Sequence, residues 1–129
     1  MAEIIWLLED AVKAIHQRQI VEHGGTPGLR DEGLLKSALA RPHNRLAYSE
    51  KYPDFAQLAA SYAHGIARNH PFIDGNKRTA LIAARTFLLL NGRDLEATQE
   101  DKYLTFMRLA EGAISERQLA DWIRQNLKS

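Results

Sequence analysis

The sequence contains no cysteine. That absence excludes a disulfide framework, thiolate catalysis and a cysteine-ligated zinc site, and it fits a reducing compartment. A dominant charge sign is missing too: 17 Lys and Arg stand against 16 Asp and Glu, a formal net charge of +1. No global field would steer the chain to nucleic acid or to a membrane, so any cationic function has to be local. Apolar runs such as Phe87 to Leu90 are far too short to cross a bilayer. The first ten residues, Met-Ala-Glu-Ile-Ile-Trp-Leu-Leu-Glu-Asp, have no basic leader and gain acids early, so no signal peptide is expected and a cytoplasmic location is. Strand-like alternation, internal repeats and low-complexity segments are also lacking. The expectation is a single all-α domain over residues 1–129: about six helices around a buried central helix, with a short extended flap.

The most informative stretch runs from His70 to Asn91. Its first nine residues are polar and sharply turned, and the next dozen are almost wholly apolar. Pro71 pushes His70 out of the α region, so a preceding helix should stop near Asn69 or His70. Asp74 is a good N-cap and Gly75 permits a tight turn, so a new helix is expected from about Gly75 until Asn91-Gly92 ends it. A helix apolar on nearly every face belongs in the middle of a bundle. Lys77 and Arg78 sit in its first turn, where cations oppose the helix dipole. That placement makes sense if an anion such as a polyphosphate binds there, held by backbone N–H groups and both side chains.

Elsewhere, a helical stripe runs from Ile4 to Val21, with Gln19 and Ile20 fitting it less regularly. The His23-Gly24-Gly25-Thr26-Pro27-Gly28 loop lacks the Lys-Ser/Thr ending of a P-loop and reads as a connection. Asp31 should cap a short helix, Glu32 to Leu39. Ala40 to Asp54 shows no helical period and contains two prolines. It reads either as a surface loop anchored by Tyr48 and Tyr52 or as a functional segment in which Leu46, Ala47 and Tyr48 form an extended piece for a partner's backbone. Asp54 caps a helix bearing Phe55, Leu58, Ala59, Tyr62 and Ile66, which delivers Arg68 and His70 to the central loop. Thr98 and Ser115 open two further helices. His16, His23, His43 and His64 read as structural, and Phe72 as a core anchor for the loop.

The residues His70-Pro71-Phe72-Ile73-Asp74-Gly75-Asn76-Lys77-Arg78 resemble the signature of the Fic/Doc family, His-Pro-Phe-x-(Asp/Glu)-Gly-Asn-(Gly/Lys)-Arg, with every defining position filled. The His23-Gly24-Gly25…Gly28-Leu29-Arg30-Asp31 loop, the Tyr48 region and Asn76-Lys77-Arg78-Thr79-Ala80-Leu81 are similar to the death-on-curing branch. The resemblance implies transfer of part of a nucleotide to a protein hydroxyl. His70 would be the general base and Asp74 would hold Mg²⁺ against the phosphates of ATP. Gly75, Asn76, Lys77, Arg78 and Arg68 would bind phosphate, and Lys77 and Arg78 would also neutralise charge developing during transfer.

Members that transfer AMP commonly carry Gly at the position of Lys77 and a second Arg three residues after the motif's last one, where this chain has Leu81. Arg85 lies a turn further on. These departures resemble the death-on-curing branch and imply a kinase acting on a Ser or Thr of elongation factor Tu, a toxin that arrests translation. AMP transfer is the alternative, supported by the intact His-Pro-Phe and Gly75, and an inactive binding module on the same fold is a further one. A metal-dependent phosphodiesterase would want a second acid or His cluster, and none is evident. The Ser/Thr-x-x-x-Glu-(Gly/Asn) pattern of self-inhibited Fic proteins is absent, which implies a separate antitoxin as partner.

Overall fold

The computed structural model describes residues 3–128. Six helices follow one another: α1 (Glu9–His23), α2 (Glu32–Tyr48), α3 (Phe55–Asn69), α4 (Asn76–Leu90), α5 (Gln99–Ala110) and α6 (Glu116–Gln125). Two short strands, β1 (Asp94–Leu95) and β2 (Leu127–Lys128), pair antiparallel and tie the tail to the turn after α4. At two residues each they are too short to leave an alternating pattern in the sequence. The fold is all-α, as expected, and among the described residues no helix is long and apolar enough to cross a membrane.

Helix α3 occupies the centre, packed against α2, α4, α5 and α6. Ten of its fifteen residues are buried, against seven of fifteen in α4. The expected central helix, α4, packs against α1, α3, α5 and β1 but leaves Leu89 and Leu90 nearly half exposed. The small residues of α3 let its neighbours come close. A Cβ at Gly65 would lie 2.9 Å from the Ala38 Cα and 3.0 Å from the Ala38 Cβ. Asp54 caps α3 through a reciprocal box with Gln57, and Ser115 caps α6 the same way with Gln118. The Thr98 hydroxyl accepts the N–H of Asp101 at the start of α5.

Two expectations are corrected here. The first helix begins at Glu9, not Ile4. Residues before it take long-range partners instead: the Asn91 amide exchanges two hydrogen bonds of 2.9 Å with the Ile5 backbone, and the Leu7 N–H donates to the Tyr62 hydroxyl. Burial of Leu7 and stacking of Trp6 on His43 at 3.9 Å hold the segment extended along the bundle. The second correction concerns α2, which does not stop at Leu39 but continues through Pro42 to Tyr48. Leu46, Ala47 and Tyr48 are therefore its last helical turn and not an extended flap. A proline inside a helix costs about 3 kcal/mol. The offset is tertiary: Pro42 is buried, and Arg41 and Arg45, one turn apart on either side of it, both pair with Glu116 of α6.

Alanine normally stabilises an exposed helix position relative to glycine by about 0.5–1 kcal/mol. At Gly65 the sign should reverse. Gly65→Ala is expected to lower stability by about 1–3 kcal/mol through overpacking against Ala38, measurable by urea denaturation with an unchanged slope.

Candidate active site

The nine-residue stretch lies between the end of α3 and the first turn of α4. His70 caps α3 with a left-handed backbone, φ 50° and ψ 56°, and is the one non-glycine residue with positive φ among those described. Such a conformation costs on the order of 1–3 kcal/mol and persists only where its surroundings over-determine it. The surroundings here are continuous. The Pro71 carbonyl accepts the N–H groups of Arg30 and Asp31 at 2.7 and 3.0 Å, and the Ile73 N–H donates to the Gly28 carbonyl. Phe72 is buried and stacked on His16, ring centroids 3.9 Å apart and planes 6° from parallel. His16 donates through Nε2 to the Asp74 carbonyl at 2.7 Å, which places its ring proton on that nitrogen.

Asp74 does not cap α4, contrary to the sequence expectation. The cap is Gly75, itself left-handed at φ 76°, and among the described residues no side-chain hydrogen bond caps the helix. The Asp74 carboxylate accepts the Gly75 N–H through Oδ1 and the Thr26 N–H through Oδ2. Gly25 passes so near that a Cβ there would lie 2.8 Å from Oδ2. The glycine loop is thus a strap across the motif and not a bare connection.

Asn76 is corrected as well. Its side chain is buried and spent on the loop, with Oδ1 accepting from the Phe72 N–H and Nδ2 donating to the Phe72 carbonyl at 3.0 and 2.9 Å. What it can still offer a ligand is its backbone N–H at the helix start.

His70, Asp74, Gly75, Lys77 and Arg78 line one cavity of about 440 Å³, a volume typical of small-molecule sites. Gln19 and His23 of α1 and Tyr103 of α5 form the facing walls. The Arg78 guanidinium lies 5.3 Å from the Tyr103 ring centroid, a cation–π contact that steadies it. Among the described residues no group of three or more His, Cys, Asp or Glu is arranged to hold a metal ion. A divalent cation at Asp74 would complete its shell with phosphate and water, a pattern that suits Mg²⁺.

Four expected site residues, Arg68, Leu46, Ala47 and Tyr48, are not brought to this cavity. Arg68 is not among the residues lining it and donates to the Ala110 carbonyl at 3.2 Å. Leu46 and Tyr48 bracket the far end of α2. That helix runs antiparallel to α3, with Leu34 bonded to Asn69 and Ala38 against Gly65, so its last turn lies about 20 Å from His70 by helix rise. Ala47 is in the same turn. Arg85 is engaged elsewhere too, donating to Asp94 at 3.0 and 3.2 Å. That bonding holds the Asp94 carboxyl below its ordinary range.

Sequence reading missed Gln19, His23 and Tyr103. A signal did exist for Gln19, a nearly buried amide on an otherwise apolar stripe, and for His23, which opens the glycine loop.

The Fic/DOC family model matches residues 6–88. The protein named Protein kinase doc, from Escherichia phage P1, is 38% identical over 112 residues, 87% of each chain. Toxin Doc from Mycolicibacterium smegmatis is 46% identical over 77 residues, covering 60% of this chain and 59% of that one.

Asn76→Ala would strand two buried polar groups of Phe72, each costing about 1–3 kcal/mol. The variant should melt several degrees lower and lose nucleotide affinity, as thermal unfolding with and without nucleotide would record.

Proposed function

The chain belongs to the Fic/DOC family, and on that premise we propose that it is a toxin that moves the γ-phosphate of ATP onto a Ser or Thr hydroxyl of a protein target, elongation factor Tu, and so stops translation. The observation that carries this reading is the cavity shared by the His70 imidazole, the Asp74 carboxylate and the Lys77-Arg78 turn with its uncapped amides.

His70 takes the proton of the target hydroxyl as its oxygen attacks the γ-phosphorus. An oxygen–phosphorus bond forms to the target, the bond from the γ-phosphorus to the bridging oxygen breaks, and ADP leaves. The helix amides, Lys77 and Arg78 neutralise charge on the equatorial and leaving oxygens, and preorganised donors of this kind commonly supply most of the acceleration in phosphoryl transfer. Asp74 would hold Mg²⁺, which supplies electrostatic clamping of the phosphates.

A second cavity of about 300 Å³ adjoins the first, sharing Gln19, His23, Arg78 and Tyr103 and adding Leu81, Ile82 and Gln99, without His70. Its apolar wall suits a nucleoside better than phosphate. A nucleotide lying with its base there points its γ end at the imidazole, which supports phosphate transfer over AMP transfer. The commitment of Arg85 to Asp94 supports the same orientation, since no second arginine of α4 is left to grip distal phosphates beyond His70. Control falls to a separate antitoxin, and the chain acts without nucleic acid or membrane.

Incubation with elongation factor Tu and ATP labelled at either the α or the γ position tests the transfer. Label from γ alone is expected, and label from α would replace this reading with AMP transfer. His70→Ala should slow transfer by about 10²- to 10⁴-fold while remaining folded. A mutant as active as the parent would remove the general base. Asp74→Ala should raise the Mg²⁺ concentration needed for half-maximal rate, and an unchanged requirement would dismiss its role. In cells, growth arrest on expression should vanish when the antitoxin is supplied.

A further inference from the structure

His70 has to be held in a backbone conformation that its own side chain disfavours, and the grip on its carbonyl comes from one residue outside the cavity. The Arg30 guanidinium donates through Nε to the His70 carbonyl at 2.7 Å and through Nη2 to the Asn69 carbonyl at 2.8 Å. Its backbone N–H donates to the next carbonyl, that of Pro71, at 2.7 Å. Three consecutive carbonyls are thereby fixed by a single side chain and its own amide. Two belong to the last residue of α3 and to its cap, where the helix leaves carbonyls unsatisfied and the dipole favours a cation.

We propose that Arg30 is the positioning residue for the His70 imidazole: it locks the left-handed cap so that the ring faces the cavity. This rests on the reading of His70 as general base. Arg30 does not line the cavity, so its influence on a nucleotide bound there passes through the residues it holds. It is also exposed, and both its carbonyl partners could turn to water if it were removed. The consequence is a separation of effects. Loss of Arg30 costs little of the fold, whereas a small displacement of a reacting group can cost about 10²-fold in rate.

The planar fork holds the two carbonyls in a fixed geometry, which the flexible lysine ammonium does not reproduce. Arg30→Gln is therefore expected to lower kcat for phosphate transfer by about 10- to 100-fold with KM for ATP within about threefold. Arg30→Lys should recover part of the loss. In a His70→Ala background, Arg30→Gln should remove nothing further. An Arg30→Gln enzyme with the parental kcat overturns the proposal. So does a loss carried by KM, or an equal loss added on top of His70→Ala.

A readout independent of the reaction keeps the two readings apart. The His70 Cε1–H resonance, assigned by comparison with His70→Ala, should shift and broaden in both Arg30 variants, more in Gln than in Lys. An unmoved resonance overturns the positioning role even if transfer is confirmed. A moved resonance with no transfer to any acceptor overturns the reading of the reaction and leaves the positioning intact.

Discussion

The Asn76 carboxamide, folded back on both backbone groups of Phe72, is the contact on which the rest of the site depends. It fastens the motif loop to the helix that follows it, and its side chain is fully engaged there. With Gly75 in the cap position, the first amides of α4 remain open. Asp74 is free of capping duty, and its carboxylate is steadied instead by the amides of Thr26 and Gly75. One buried amide thus decides that the positive end of the helix and a carboxylate meet in the same space. Buried polar contacts of this kind are costly to break because neither partner has water as an alternative.

Around that contact the fold supplies rigidity from both sides. Beneath the loop, Phe72 stacks on His16, and His16 in turn holds the Asp74 carbonyl. Above it, the segment from Gly25 to Asp31 touches almost every motif residue from His70 to Asp74 through backbone or guanidinium bonds. The two supports come from opposite ends of one connection, since α1 carries His16 and the loop leads on into α2. A shift of α1 against α4 would therefore disturb the imidazole and the carboxylate together.

The helices were legible in the sequence where their signals were local. The capping pairs at Asp54, Thr98 and Ser115, the stop at Gly92 and the apolar spacing of α3 all rest on contacts within a few residues. Failures came where distant contacts outvoted local preference. Pro42 argues against a helix, yet Glu116 clamps the turns on both sides of it. The Ile4 to Leu8 stretch has helical spacing, yet Asn91 and Tyr62 claim its backbone. In the site, the ionisable residues His70, Asp74, Lys77 and Arg78 were legible from the motif and share one cavity. Arg68 was misplaced because helical phase near a helix end does not say which side a long side chain takes. Asn76 was misread because its type alone does not distinguish a ligand contact from a loop fastener. Tyr103 reaches the cavity only through the packing of α5 on α4, which no local pattern records.

The placement of charge explains why the site is built on a helix start and not on a cluster of arginines. Of the arginines along α4, Arg85 is drawn to Asp94 and out of the cavity, leaving Arg78 braced by an aromatic ring beside Lys77. Two cations against a helix N-terminus repel it when the cavity is empty and are relieved when an anion arrives. The same groups therefore weaken the free protein slightly and favour the bound one, the usual direction of a stability trade at a functional site. A triphosphate relieves that repulsion best with its most highly charged end at the amides. In the phosphate transfer proposed above, that end would carry the terminal phosphorus to the histidine.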